Sequence, residues 1–246
     1  MHVDIVTIFP EVFGGFLGCS ILKRAQESGA LRVAIHDLRD YTDDKHKVVD
    51  DYPYGGGPGM VMKPEPWFRA VEALKQGGDP APLVIFFTPQ GEPLTQRKAE
   101  SLAARERLLL LCGHYEGVDE RVRDALVDEE LSLGDYVLTG GELPALVLVD
   151  AVARLLPGVL GNLESARQES FADGLLEHPH YTRPQCYAGR EVPAVLLSGH
   201  HEEIRKWRRR EALRRTQERR PDLLEQAQLT PEDRELLAEI ETGEQD

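Results

Sequence analysis

Gly134-Asp135-Tyr136-Val137-Leu138-Thr139-Gly140-Gly141-Glu142-Leu143-Pro144 decides the fold class, because a strand-like run feeds into two adjacent glycines and then a helix start. Adjacent glycines let backbone N–H groups come close to a ligand, since no Cβ intervenes. The same design occurs twice upstream. Leu83-Val84-Ile85-Phe86-Phe87 runs into Thr88-Pro89-Gln90-Gly91, and Leu108-Leu109-Leu110-Leu111-Cys112 runs into Gly113-His114-Tyr115-Glu116-Gly117. Each loop alone could be an ordinary tight turn; three apolar strands that each end this way before a helix point to one shared ligand crevice. None of the loops matches the dinucleotide or P-loop glycine patterns.

Outward from these loops, Val3 to Phe9 alternates as a strand, Pro10 and Glu11 open a helix toward Gln26, and Leu31 to Leu38 reads as a second strand. A long loop, 40–62, carries Tyr54-Gly55-Gly56-Gly57-Pro58-Gly59, and loops of that length in a compact domain are usually functional. Pro64 to Lys75 reads as a helix. Strands then alternate with helices as far as Leu156, the pattern of an α/β domain with a mostly parallel sheet. The helix from Glu142 to Leu156 is apolar nearly all round and must be covered on several sides, one option being a second subunit. Its polar interruptions, Asp150 and Arg154, share a face at i,i+4, as either an intrahelical ion pair or a functional arginine.

Residues 161–174 have little periodic apolar content and read as a linker between an α/β domain, 1–160, and a small helical domain, 175–246. The linker acids Glu164 and Glu169 are solvated carboxylates unless a cleft recruits one as a general base. Beyond them His178-Pro179-His180-Tyr181-Thr182-Arg183-Pro184 is extended, Ser198 has the character of an N-cap for a basic helix through Arg215, and Thr230-Pro231-Glu232-Asp233 has the cap and proline chemistry of a final helix.

The chain of 246 residues has a net charge of −14, which by itself disfavours nucleic acid as a partner. The average conceals a cluster. Arg205, Lys206, Arg208, Arg209, Arg210, Arg214, Arg215, Arg219 and Arg220 face only Glu211 and Glu218 over the same stretch, around Trp207 and close to His200 and His201. Local clustering governs phosphate binding, and a tryptophan among cations suits an RNA backbone plus a stacked base; the alternative is a solvated helix face. Cys19, Cys112 and Cys186 are widely spaced and odd in number, which argues for reduced thiols and against a zinc site. No secretory signal and no membrane span is visible, so a cytoplasmic location is expected.

As a set, Pro53-Tyr54-Gly55-Gly56-Gly57-Pro58-Gly59-Met60, Cys112-Gly113-His114-Tyr115-Glu116-Gly117-Val118-Asp119-Glu120-Arg121, the stretch Gly134 to Pro144, the stretch His178 to Pro184 and Leu197-Ser198-Gly199-His200-His201 resemble the bacterial tRNA (guanine-N1)-methyltransferase family, TrmD. The resemblance spans nearly the whole chain. It implies a SPOUT-class α/β fold with a mostly parallel sheet tied into a deep trefoil knot, followed by the small helical domain. It further implies a homodimer with active sites between subunits, and S-adenosylmethionine-dependent methylation of N1 of guanosine 37 in tRNA when guanosine 36 precedes it. The rivals are a SPOUT methyltransferase acting on another RNA position and a non-catalytic RNA-binding module.

Carried over residue by residue, the resemblance places the methyl donor against Phe86, Thr88, Pro89, Gln90, Gly91, Gly113, Tyr115, Glu116, Leu133, Gly134, Asp135, Tyr136, Val137, Leu138, Gly140, Gly141 and Pro144. It makes Arg154 the arginine that faces the guanine, and places His46, Asp50, Pro58 and Gly59 against the target nucleotides. Ser165 and Arg183 join Trp207, Arg208, Arg209 and Arg215 in the expected RNA contacts. The family's Asp-Ser-Phe, whose aspartate is the general base, is Glu169-Ser170-Phe171 here, with Asp173 as a substitute carboxylate. Mg²⁺ is implied by the family too, although the sequence offers no distinct ligand cluster.

Overall fold

Five strands, β1 (His2–Thr7), β2 (Arg32–Asp37), β5 (Leu83–Pro93), β6 (Arg107–Leu111) and β7 (Glu129–Ser132), form one sheet of order β2-β1-β6-β5-β7 in which every neighbouring pair is parallel. This is the mostly parallel α/β architecture expected from the alternation of strands and helices. The computed structural model describes residues 1–161 and 169–242. The chain divides into two compact units, 1–161 and 162–246.

Period-two alternation along the strands supplies two cores, one on each face of the sheet. Val3, Ile5, Ile85, Leu108 and Leu110 pack against α1 (Phe13–Leu17), α2 (Ser20–Glu27), α4 (Gln96–Ala103) and α6 (Glu142–Ala153). Val6, Val84, Phe86, Leu109 and Leu111 pack against Trp67, Ala70 and Val71 of α3 (Pro64–Gln76) and Val122 of α5 (Glu120–Leu126). The side chains of Thr95 and Asp119 start α4 and α5 by accepting backbone N–H bonds from Lys98 and Arg121.

Four local expectations are corrected. The first helix is not continuous to Gln26: a 3₁₀ turn, Pro10–Val12, leads into α1, and the chain breaks at Gly18 and Cys19 before α2. The long loop holds a two-stranded hairpin, β3 (Asp50–Asp51) and β4 (Val61–Met62). The run 134–139 is a loop and not a strand; the strand lies upstream at β7. Gly134 at φ +141° turns the chain, and the Tyr136 N–H donates to the Gly134 carbonyl at 2.9 Å, so Asp135 sits at the apex of a tight turn. Ser198 does not cap the basic helix, which begins at His201 with His200 as its N-cap; its hydroxyl accepts the His200 N–H one turn earlier.

The second unit contains a hairpin, β8 (Cys186–Tyr187) and β9 (Arg190–Glu191), turned by Ala188 and Gly189, both at positive φ. Its helices are α7 (His201–Arg219), α8 (Pro221–Gln226) and α9 (Pro231–Thr242), with Leu175, Leu213 and Leu236 as the core. Thr230 and Asp233 form a reciprocal cap for α9: the Asp233 N–H donates to Thr230 Oγ1 at 3.1 Å and the Thr230 N–H to Asp233 Oδ2 at 2.9 Å. Of the segment expected as a linker, 162–168 lie outside the described residues, whereas 169–174 pack within the second unit. No helix among the described residues is long and apolar enough to cross a membrane.

Candidate active site

The three glycine segments come together on one cavity: the second and third follow the carboxyl ends of β6 and β7, where open parallel sheets place their ligand crevices, whereas Thr88 to Gly91, expected as a loop, lies within β5 as an irregularity that shifts its pairing with β7 between Phe87 and Glu92. They enclose a cavity of about 450 Å³. Its lining includes Phe86, Thr88, Pro89 and Gln90 from the first loop and Gly113, Tyr115 and Glu116 from the second. The third contributes Leu133, Gly134, Tyr136, Val137, Leu138, Gly140, Gly141 and Pro144.

Gly91 and Asp135 are outside the lining. A Cβ on Gly91 would stand 2.5 Å from the backbone of Glu130 and Leu131, so this glycine admits the neighbouring strand and not a ligand. Asp135 is the exposed apex of the tight turn.

The other glycines work in a way the sequence did not disclose. A Cβ on Gly141 would lie 2.6 Å from Cys112 Cα, and one on Gly113 would lie 2.9 Å from the Phe86 ring. The Gly141 N–H donates to the Gly113 carbonyl at 3.0 Å, and an antiparallel bridge joins His114 to Gly140. The missing side chain at Gly141 therefore lets the third loop pack on the second, and the one at Gly113 lets the second pack on Phe86 of β5.

Beneath the cavity lies a polar network. Thr7 donates to Glu142 Oε1 at 2.6 Å and accepts the Phe9 N–H, while His114 Nε2 lies 2.8 Å from Glu142 Oε2. Glu142 is only 6% exposed, and both its oxygens are engaged, as a buried carboxylate requires. Burial, reinforced by the Glu142 charge, pushes the Cys112 thiol well above its ordinary range, so this cysteine is an inert core residue. On the far wall Arg123 donates two bonds to Glu130, at 2.7 and 2.9 Å, and one to Gln90 Oε1 at 2.9 Å, which fixes a lining side chain to α5 and β7. Thr7, His114, Arg123 and Glu142 were not expected as site residues. For Glu142 the signal was there, an acid opening an apolar helix directly after two glycines.

The 40–62 loop docks on the same site. The Glu116 N–H donates to the Met60 carbonyl and the Met62 N–H to the Gly117 carbonyl, at 3.0 and 2.9 Å. Gly59, at φ +81°, leaves room for the Glu116 side chain. Burial, with a contribution from the Asp50 charge, raises the Tyr115 phenol above its usual value, and Tyr115 holds a positive φ of 61°, a strained backbone at the cavity edge. His46 and Pro58 are exposed on this loop. Arg154 is half-buried at the C-cap of α6. On the same helix Leu143 and Val147 are 55% and 47% exposed.

In the second unit, His178, His180, Tyr181, Arg183 and Arg208 line a cleft of about 530 Å³. Burial, then the neighbouring His180, Arg208 and Arg215, hold the His178 imidazole below its ordinary value. Trp207 lies beside Tyr181, with ring centroids 6.3 Å apart. Arg208 and Arg215 form no ion pair among the described residues, in contrast to Arg209, which is held by Asp233 and Asp173. Glu169 and Asp173 line a third cleft with Arg205, Arg208 and Arg209. Ser165 and Glu164 lie outside the described residues. No group of three or more His, Cys, Asp or Glu side chains among the described residues is placed to hold a metal ion.

The family model for tRNA (guanine-1)-methyltransferase, TrmD, matches residues 1–226. The tRNA (guanine-N(1)-)-methyltransferase of Moorella thermoacetica is 63% identical over 99% of this chain and 98% of its own length. Enzymes of the same name from Pelotomaculum thermopropionicum and Halalkalibacterium halodurans are 61% and 59% identical, each over 98% of this chain and over 96% and 98% of their own lengths.

Proposed function

The chain belongs to the tRNA (guanine-1)-methyltransferase family, TrmD, and we propose from that premise that it transfers a methyl group from S-adenosylmethionine to N1 of guanosine 37 in tRNA, with guanosine 36 as the preceding nucleotide. The observation that carries the reading is the convergence of three glycine segments on one cavity, with Gly113, Gly140 and Gly141 packed too closely on their neighbours to admit a side chain.

The cavity fits the donor. Phe86, Leu133, Leu138 and Pro144 provide apolar walls for an adenine ring, Gln90 is oriented by Arg123 as a polar contact, and the remaining surface is loop backbone able to satisfy ribose and amino-acid groups. S-adenosylmethionine, when bound, supplies an electrophilic methyl group on a sulfonium. The residues do the rest. Guanine N1 carries a proton, and its lone pair becomes nucleophilic only as that proton leaves and negative charge spreads toward O6. Glu169 takes the proton, a contribution on the order of 10²–10⁴ in rate, and Arg154 stabilises the charge growing on O6. His46, Asp50, Pro58 and Gly59 meet the target nucleotides from the loop docked on the second glycine loop. Arg183, Trp207, Arg208 and Arg215 hold the rest of the tRNA.

The exposed Leu143 and Val147 on α6 favour a homodimer, in which a second copy covers this stripe and completes the site; the trefoil knot is part of the same proposal and rests on membership of the family. For Mg²⁺, no group of three or more His, Cys, Asp or Glu side chains among the described residues offers a ligand set. Mass spectrometry of tRNA incubated with the protein and isotopically labelled donor tests the reading. One label at N1 of guanosine 37 is expected. A label at another position, or none with folded protein, refutes it.

A further inference from the structure

Arg209 sits in the middle of a basic helix, and charge alone would send it to an RNA phosphate. Three of its five N–H donors are already committed. Nε and Nη2 donate to the two carboxylate oxygens of Asp233 at 2.6 and 3.0 Å, and Nη1 donates to Asp173. The guanidinium side chain is only 25% exposed and Asp233 is 1% exposed. The fork-to-carboxylate geometry is the one only arginine supplies. Asp233 is in turn fixed by the Thr230 N–H at the start of α9, so Arg209 is anchored on one side to a rigid helix end.

On its other side is a tight, strained turn. The Ala172 N–H donates to the Glu169 carbonyl at 3.2 Å, the Gly174 N–H to the Phe171 carbonyl at 3.3 Å, and the Phe171 N–H to the Leu175 carbonyl at 2.7 Å. Phe171 holds φ +75°, a left-handed conformation that persists only where surroundings enforce it. The enforcement is visible. Leu175 is buried in the core of the unit, the Leu176 N–H donates to Thr216 Oγ1 at 2.9 Å, the Glu177 N–H donates to Ser170 Oγ at 3.0 Å, and Asp173 is gripped by Arg209. Glu169 is the first residue of this turn.

We propose that Arg209 is a positioning residue for methyl transfer: through Asp173 it clamps the turn that carries Glu169 onto α7 and α9, and it is not a phosphate contact. The proposal rests on the reading of Glu169 as the base. It differs from the phosphate reading in the sign of one effect, because Asp173 would weaken RNA binding by repulsion in that reading and has no such effect in the clamp.

The test uses the full chain and the substitutions Arg209→Lys, Arg209→Gln, Asp173→Asn and the double variant Arg209→Gln/Asp173→Asn. Single-turnover methylation is measured at saturating tRNA and donor, and tRNA affinity is measured as a function of salt. The clamp predicts that each single variant loses about tenfold to a hundredfold in rate, the scale of a misplaced reacting group. It predicts tRNA affinity and salt slope unchanged, no rescue by lysine, and a double variant no slower than the slower single. Three outcomes overturn it. In the first, Arg209→Gln flattens the log–log salt slope by about 0.7–0.9, the loss of one phosphate contact, with Arg209→Lys restoring it. In the second, Asp173→Asn tightens tRNA binding without slowing turnover. In the third, Asp173→Asn is inactive while both Arg209 variants turn over normally, which makes Asp173 itself the base. Should Arg209→Gln fail to fold, Asp173→Asn and Arg209→Lys carry the test, since both leave a cation beside Asp233. A separate Glu169→Gln variant with undiminished turnover would refute the base assignment; the clamp is judged on the coupling of Arg209 and Asp173.

Discussion

Gly141→Ala should loosen the proposed donor cavity while leaving every side chain that lines it unchanged. Gly141 has an ordinary negative φ of −82°, so alanine meets no backbone penalty there and would gain a few tenths of a kcal/mol through the unfolded state. The obstacle is steric. The added Cβ would lie 2.6 Å from Cys112 Cα, against about 3.5 Å for a relaxed carbon–carbon contact, so the second and third loops must separate by about 0.9 Å. The obstructing atom is backbone and cannot rotate away. Overpacking of this kind costs about 1–3 kcal/mol, which for a unit of this size lowers the melting temperature on the order of 2–10 °C. The separation also stretches the bond from the Gly141 N–H to the Gly113 carbonyl and opens the cavity, so donor affinity should fall at least about tenfold. Calorimetric titration with S-adenosylmethionine and a thermal scan of the same sample measure both effects. Gly15→Ala is the control, since a Cβ there meets nothing within 4 Å, and it should be neutral to slightly stabilising. If Gly141→Ala melts and binds donor like the parent, the loops are not held by close packing and this account of the cavity fails.

Replacing both Arg208 and Arg215 by glutamine should weaken tRNA binding and flatten its log–log salt slope by about 1.5, with donor binding unchanged; an unaltered slope would make α7 a solvated face. Asp233 is held down to about 2 by Arg209 first and by the Thr230 N–H and hydroxyl, so its stabilising effect is full above the ordinary carboxylate value near 4 and is lost as pH falls toward 2. Asp233→Asn should therefore remove about 2 kcal/mol from the second unit at pH 7 and abolish the decline between pH 4 and 2 that this pair causes, as followed by hydrogen exchange. Mixing Glu169→Gln chains with folded, donor-dead Gly140→Ala chains should restore roughly a quarter of parental activity if donor and base come from different subunits. Demonstrated subunit exchange without recovered activity places both in one chain.

The sheet was legible where alternation was strong and burial two-sided. Val3 to Thr7 and Leu83 to Phe87 are strands because their residues feed both cores, although the first was expected to run on to Phe9. β7 was missed for a physical reason: its first residues, Glu129 and Glu130, are acids that serve Lys98 and Arg123 across the sheet edge, so the segment lacks an apolar signature. The run Tyr136 to Leu138 produced the opposite error. Its residues have strand propensity, but they line an open cavity and are exposed, and tertiary context overrides propensity in such places. Strand order could not be read at all, since β6 inserts between β1 and β5 only through contacts distant in sequence. The three loops were correctly grouped, yet the purpose of their glycines was not; sequence shows that a side chain is missing and not which neighbour fills the space.

Charge shows the same division between what composition states and what geometry decides. The run Arg205 to Arg220 looks like a uniform cationic surface, but Arg205 pairs with Glu202 and Glu232, Arg209 with Asp233 and Asp173, Arg214 with Glu211 and Glu218, and Arg220 with Asp222. Several of these acids come from the segment after Arg220, so the acidic tail of the sequence is in part the partner of the basic helix. Among the described residues the cations left without an ion pair include Arg208 and Arg215, and these two are the ones whose charge reaches His178 in the aromatic and histidine-lined cleft. A chain of net charge −14 thus keeps a small focused patch and repels polyanions over much of its remaining surface. Repulsion elsewhere is selective in effect, because an RNA that does not place its phosphates on that patch gains nothing from binding. On the proposed reading arginine at 208 and 215 serves recognition and arginine at 209 architecture, although the three share one helix and one charge.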